Sequence, residues 1–108
     1  MKLMTKEIEE KFEKLGCQDG KEGHAIVVVK YFHPCNNWKW YALEYDPVNK
    51  LFFGLVDGYE LEYGDFSLEE LESVKVMGLG IERDLYFGNP KLKDIMELSG
   101  RGLYWDKQ

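Results

Sequence analysis

Apolar positions change their spacing several times along this chain, and each change marks an element. Ile8, Phe12 and Leu15 recur at i, i+4 and i+7 between Thr5, a capping residue, and Gly16, a stop signal. That spacing predicts a helix over about 6–15 with one narrow apolar stripe. Residues 25–32, AIVVVKYF, are dense in β-branched side chains and apolar on both faces, the pattern of a strand at the centre of a sheet. HPCNN interrupts it. WKWYALEY at 38–45 resumes extended structure, with Trp38 and Trp40 on one face and Tyr41 and Tyr45 on the other, and DPVNK at 46–50 places Asp and Pro as a type I turn requires. LFFGLV follows at 51–56. Asp57-Gly58 is a two-residue hairpin signal, and in YELEY at 59–63 the residues Tyr59, Leu61 and Tyr63 alternate with Glu60 and Glu62.

Short connections make these four strands an antiparallel meander. Ser67 opens a capping box with Glu70, and Phe66 can staple onto Leu71, so a short helix is predicted over about 68–74. VMGLGIERDLYF at 76–87 is a candidate fifth strand or extended arm. Asn89-Pro90 begins a third short helix, with Leu92, Ile95, Met96 and Leu98 as its apolar face and Gly100 as its stop. The expected fold class is α+β: an antiparallel meander sheet of four to five strands with two or three short helices packed on one face. The length suits one domain over residues 1–108, able to bury roughly 60–70% of the surface of its unfolded chain.

Composition adds solubility and compartment. Hydrophobic residues at 44% supply a core, and 31% charged residues keep it in water. No segment approaches the roughly 18 apolar residues of a membrane span, and the AIVVV run is too short and too far from the start for a signal peptide, so a cytoplasmic protein is expected. Cys17 and Cys35 are read as free thiols. A monomer is the default expectation.

Charge changes the picture most. Residues 1–50 carry eight lysines and eight acids; residues 51–74 carry seven acids and no base; residues 75–108 carry six bases and five acids; 0, −7 and +1 make the net −6. All of the excess sits on Asp57, Glu60, Glu62, Asp65, Glu69, Glu70 and Glu72. A chain with this balance lacks the positive footprint that direct binding to nucleic acid or anionic lipid requires.

Each familiar chemistry meets an obstacle. Cys17, His24, His33 and Cys35 are zinc-ligand types, but C-x6-H-x8-H-x-C has no close pair of ligands on one element, so no metal or other cofactor is expected. Cys35 beside His33 has no neighbouring carboxylate to orient a nucleophile pair. Gly78-Leu79-Gly80 is half of a phosphate-binding pattern without its lysine. Paired carboxylates need burial or close like charge to make a general acid, whereas Glu60 and Glu62 are expected on a solvated strand face and Glu69 and Glu70 in a helix's first turn. No catalytic residue is assigned; a small enzyme would need a cleft gathering Glu82, Arg83, Asp84 or His33. Two surfaces remain. The seven acids form either ordinary wetted faces or a site for a basic partner. Trp38, Trp40 and Trp105 form either core or interface anchors.

The run from MKLMTKEIEEKF through NNWKWYALEYDPVNKLFFGLVDGYELEYGDFSLEELESV to GLGIERDLYF resembles a family of small acidic proteins catalogued as a domain of unknown function. The likeness spans about residues 1–98 and leaves 99–108 as a tail. Members of that family occur on conjugative plasmids, prophages and bacterial chromosomes, and relatives are reported as anti-CRISPR inhibitors of Cas9-type effectors. The resemblance carries over no catalytic residues. It implies a non-enzymatic inhibitor in a bacterial host's cytoplasm, whose partner is a protein with a basic nucleic-acid-binding surface. The alternative is a regulatory or interaction module of a mobile element that binds through its aromatic face.

Overall fold

The computed structural model describes residues 1–103. Helix α1 spans Lys6–Leu15; the Thr5 hydroxyl accepts the Ile8 N–H at 3.2 Å, and Gly16, at φ 63°, turns the chain out. Phe12 is the one fully buried residue of this helix, with Ile8 and Leu15 half-buried beside it, so the narrow stripe lies on the sheet as its spacing predicts.

The sheet consists of β1 (Val29–Phe32), β2 (Lys39–Asp46), β3 (Leu51–Asp57) and β4 (Leu61–Ser67). Helix α2 (Leu68–Ser73) follows, then a small separate hairpin of β5 (Lys75–Val76) and β6 (Leu79–Gly80), and then β7 (Glu82–Arg83). The order is β4-β3-β2-β1-β7, every pair antiparallel, so residues 82–83 of the expected arm do join the meander as a fifth strand while 75–80 do not. The α+β class with its meander sheet is the observed one.

Both faces of the sheet are covered, which is why its central strands are apolar on both sides. On the first face, Phe12 of α1 and Leu68 and Leu71 of α2 close over Val29, Tyr31, Trp40, Ala42, Phe52 and Phe66, and the Tyr31 hydroxyl donates to the Leu3 carbonyl. On the second face lie Tyr41, Leu43 and Leu55 under Leu92, Ile95 and Leu98. Residues 89–99 are therefore not the third helix predicted for the same face as the others. They form two 3₁₀ turns, Leu92–Asp94 and Met96–Leu98, divided by extended backbone at Ile95. The buried residues recur every third position, the repeat of a 3₁₀ turn, and Met96, expected on the apolar face, is 85% exposed.

Three local departures have identifiable causes. The strand predicted from residue 25 begins at Val29, because residues 25–28 turn to the C-terminal segment: Val27 N–H donates to the Pro90 carbonyl and Ile26 bridges Lys91. A β-bulge between Ala42 and Glu44 shifts the register, so Tyr45 stands opposite Phe52 and packs against Phe12 and Phe52 at 5.7 and 4.7 Å, on the face of Trp40 rather than of Tyr41. Buried Gln18 serves the interrupted ladder. Its amide donates to the Ile26 and Leu43 carbonyls at 2.8 Å each and accepts the Ile26 N–H at 2.7 Å. Finally, the hairpin after β3 has a three-residue loop, 58–60, because Asp57 pairs with Leu61.

Gly54 marks the tightest approach in the sheet: a Cβ there stands 2.1 Å from the Tyr41 carbonyl oxygen. Gly64, its partner on β4, has nothing within 4 Å. Gly54→Ala is expected to destabilise by about 1–3 kcal/mol or more through overpacking against backbone that cannot yield, and Gly64→Ala to change little. Urea denaturation of the two variants checks this; equal effects would contradict the register.

Candidate partner-binding surface

β4 is an edge strand, and the acids cluster on and after it. Glu60 occupies the β3–β4 loop, Glu62 and Asp65 lie in β4, and Glu69, Glu70 and Glu72 lie in α2. All six are exposed. Among the described residues none of them lies within 4.0 Å of a lysine or arginine nitrogen. Alternation along β4 divides them: Glu62 shares the first face with Val56 and Trp40 across three strands, whereas Asp65 pairs with Phe53 on the second. The acids thus wrap the free edge of the sheet instead of covering one face. Helix α2 holds its three in place by local chemistry: the Ser67 hydroxyl accepts the Glu70 N–H at 2.9 Å, and Phe66 and Leu71 enter the same apolar cluster, as the cap and staple require. Carboxylates in this first turn also face the positive end of the helix dipole.

Asp57, expected among the open acids, does not belong with them. It is 8% exposed and its two carboxylate oxygens accept from the Arg101 guanidinium at 3.2 and 3.3 Å. It ends β3 pointing to the second face, where the C-terminal segment returns over the sheet. Arg101 lies 44 residues away, beyond what local pattern reveals.

The same face holds a polar cluster that the sequence did not single out. Lys30, in a central strand and 7% exposed, places its ammonium 5.7 and 5.3 Å from the ring centroids of Tyr41 and Phe87 and 2.8 Å from Glu97. Lys39 adds a second ion pair to Glu97 at 3.3 Å, and the Tyr41 hydroxyl donates to it at 3.2 Å. Burial alone would raise the Glu97 carboxyl; the hydrogen bonds and charges of Lys30 and Lys39 outweigh it and hold the group below its ordinary range. Burial, then the Glu97 charge, pushes the Tyr41 hydroxyl upward, keeping it a neutral donor. One signal was available: a lysine amid apolar strand residues needs a buried partner.

The aromatic candidates separate. Trp40 is core; Trp38 is half-buried at the rim, its ring 5.7 Å from that of Trp40. Trp105 lies outside the described residues. Tyr59, read as one residue of an alternating strand, instead stands at the hairpin tip, 96% exposed, with its ring edge-on to Trp38 at 5.2 Å.

His33 is buried, with Nδ1 accepting the Cys35 N–H at 3.0 Å and Nε2 3.1 Å from the Leu79 carbonyl, so it ties the β5–β6 hairpin to the end of β1. Among the described residues no group of three or more His, Cys, Asp or Glu side chains is placed to hold a metal ion, and no helix is long and apolar enough to cross a membrane.

Among known families, a model described as "Protein of unknown function (DUF2958)" matches residues 3–97, most of the chain. No curated protein and no solved structure matches it.

Because its folded-state value is lowered, Glu97 contributes its full stabilisation above the ordinary glutamate value of 4.5, and the contribution is lost as pH falls through the lower folded value. Urea denaturation of wild type and Glu97→Gln between about pH 6 and about pH 3 is expected to show a stability gap that closes on acidification. A gap constant across that range would show that the carboxylate charge is not what holds the segment.

Proposed function

The chain belongs to the DUF2958 family, proteins of unknown function, and we propose that it acts as a non-enzymatic binding module whose acidic edge occupies a basic, nucleic-acid-binding surface of another protein. The observation that carries this reading is a contrast within the molecule. On the second face cations are brought to two carboxylates: Arg101 to buried Asp57, and Lys30 and Lys39 to Glu97. Around the free edge six carboxylates stand without any such partner among the described residues. Together they make a concentrated negative field along the edge, and a cationic groove would be complementary to it.

The likeness of the sequence to proteins reported as inhibitors of Cas9-type effectors supports a specific partner class. Such an effector holds its heteroduplex in a positively charged channel and reads its PAM with arginines, and a compact acidic edge is complementary to either surface. On this reading the module works in a bacterial host's cytoplasm and competes with nucleic acid for the effector. His33, one of the residues named for an enzymatic alternative, has both ring nitrogens occupied by the fold.

Reversing Glu60, Glu62, Glu69 and Glu72 together to lysine is expected to weaken binding to a Cas9-type effector at least roughly tenfold and to abolish inhibition of cleavage. Circular dichroism of the variant should match wild type, since all four side chains are exposed. Wild-type binding should also weaken several-fold between roughly 0.05 and 0.15 M salt. Inhibition that survives the reversal removes the electrostatic mechanism; salt-insensitive binding would instead favour a mobile-element module acting through its aromatic surface.

A further inference from the structure

The hairpin tip joins an aromatic surface to the acidic edge. A Cβ on Gly58 would stand 2.5 Å from two carbons of the Trp38 indole, so the indole lies across the hairpin backbone at the one position where only hydrogen allows it. Tyr59 then meets that indole edge-on, at an interplanar angle of 85°, while remaining 96% exposed. A large ring in a defined orientation, with almost none of its surface buried, gains little for the fold from its position. Two exposed acids, Glu60 and Glu62, follow it in the chain. The Glu60 carbonyl accepts the Gly58 N–H at 3.1 Å, which fixes the loop carrying Glu60 beside the indole. Glu62 stands on the face of Trp40 and Val56, about two strand spacings, roughly 9.5 Å, from Trp40.

Aromatic faces attract cations through their quadrupole, and a planar guanidinium stacks on a ring while donating to carboxylates at its rim. We infer that the corner made by Trp38, Gly58 and Tyr59 seats an arginine side chain of the basic partner, with Glu60 and Glu62 as its counter-charges. The inference rests on the acidic-edge reading above and specifies its chemistry. The edge supplies attraction to any cation, and the corner supplies the preference for arginine over lysine. The occupant follows from charge complementarity: an apolar partner would have to desolvate Glu60 and Glu62 without compensation, and a second copy of this corner would bring the same charges together.

The test uses the full chain titrated with a short peptide alternating arginine and glycine and with its lysine counterpart, followed by indole fluorescence and amide chemical shifts. The arginine peptide is expected to bind about tenfold more tightly. Tyr59→Ala, whose side chain is too exposed for its loss to unfold the domain, is expected to erase that preference, weakening the arginine peptide about tenfold and the lysine peptide far less. E60K with E62K is expected to weaken both peptides. Equal affinities for the two peptides in wild type, or a preference that survives Tyr59→Ala, overturns the corner. If that occurs while E60K with E62K still weakens binding, the acidic edge stands without it. If neither peptide binds, or if the charge reversal changes nothing, both readings fall.

Discussion

Burying a lysine in the middle of a sheet is costly unless a carboxylate pairs with it, and much of this molecule's arrangement follows from how Lys30 obtains one. Its ammonium is desolvated between Tyr41 and Phe87, an arrangement that is costly unless an anion is close and correctly placed. Glu97 is supplied from a segment 67 residues further on. To reach Lys30 the chain must cross the second face of the sheet, and in doing so it buries Leu92, Ile95 and Leu98 at intervals of three. That crossing continues to Arg101, which then finds Asp57. Packing and ion pairing thus fix the same path: the apolar contacts supply most of the free energy, and the ion pairs determine where the segment stops.

The opposite condition holds at the free edge of β4. An unpaired strand edge invites association with another chain, and charges along it are a common means of preventing that. Glu62 and Asp65 on the strand, with Glu60 in the loop before it, repel any edge that is not strongly basic. The same residues that keep like chains apart are therefore the ones that select a cationic partner on our reading, and one physical cause serves both ends. Helix α2 extends the field because its cap and staple fix Glu69, Glu70 and Glu72 just after the strand, and the first two of these also suit the positive end of the helix dipole.

Much of this was legible in the residues. The caps at Thr5 and Ser67, the turn at Asp46, and the alternation in β4 each depend on neighbours within a few positions, so their patterns predict α1, α2 and the meander directly. What escaped prediction depends on residues far apart in sequence. The bulge that moves Tyr45 to the other face is served by Gln18, more than twenty residues upstream. The three-fold spacing of Leu92, Ile95 and Leu98 resembles half of a helical stripe until Lys30 and Val27 hold the segment as two short 3₁₀ turns. Asp57 reads as a turn residue in a run of acids, and only Arg101 reveals it as part of the second face. Tyr59 follows the alternation of its neighbours, yet a loop one residue longer than Asp57-Gly58 suggests places it at the tip against Trp38.

On our reading the six acids on and after β4, and not α1 or the C-terminal crossing, meet the partner. Hydrogen–deuterium exchange of the chain alone and in complex with a Cas9-type effector tests this most directly. New protection is expected to be confined to residues 58–73 and to the strand end at Trp38, with amides in α1 and in residues 91–101 unchanged. Protection centred on α1 or on residues 91–101, with 58–73 exchanging as in the free protein, would contradict it.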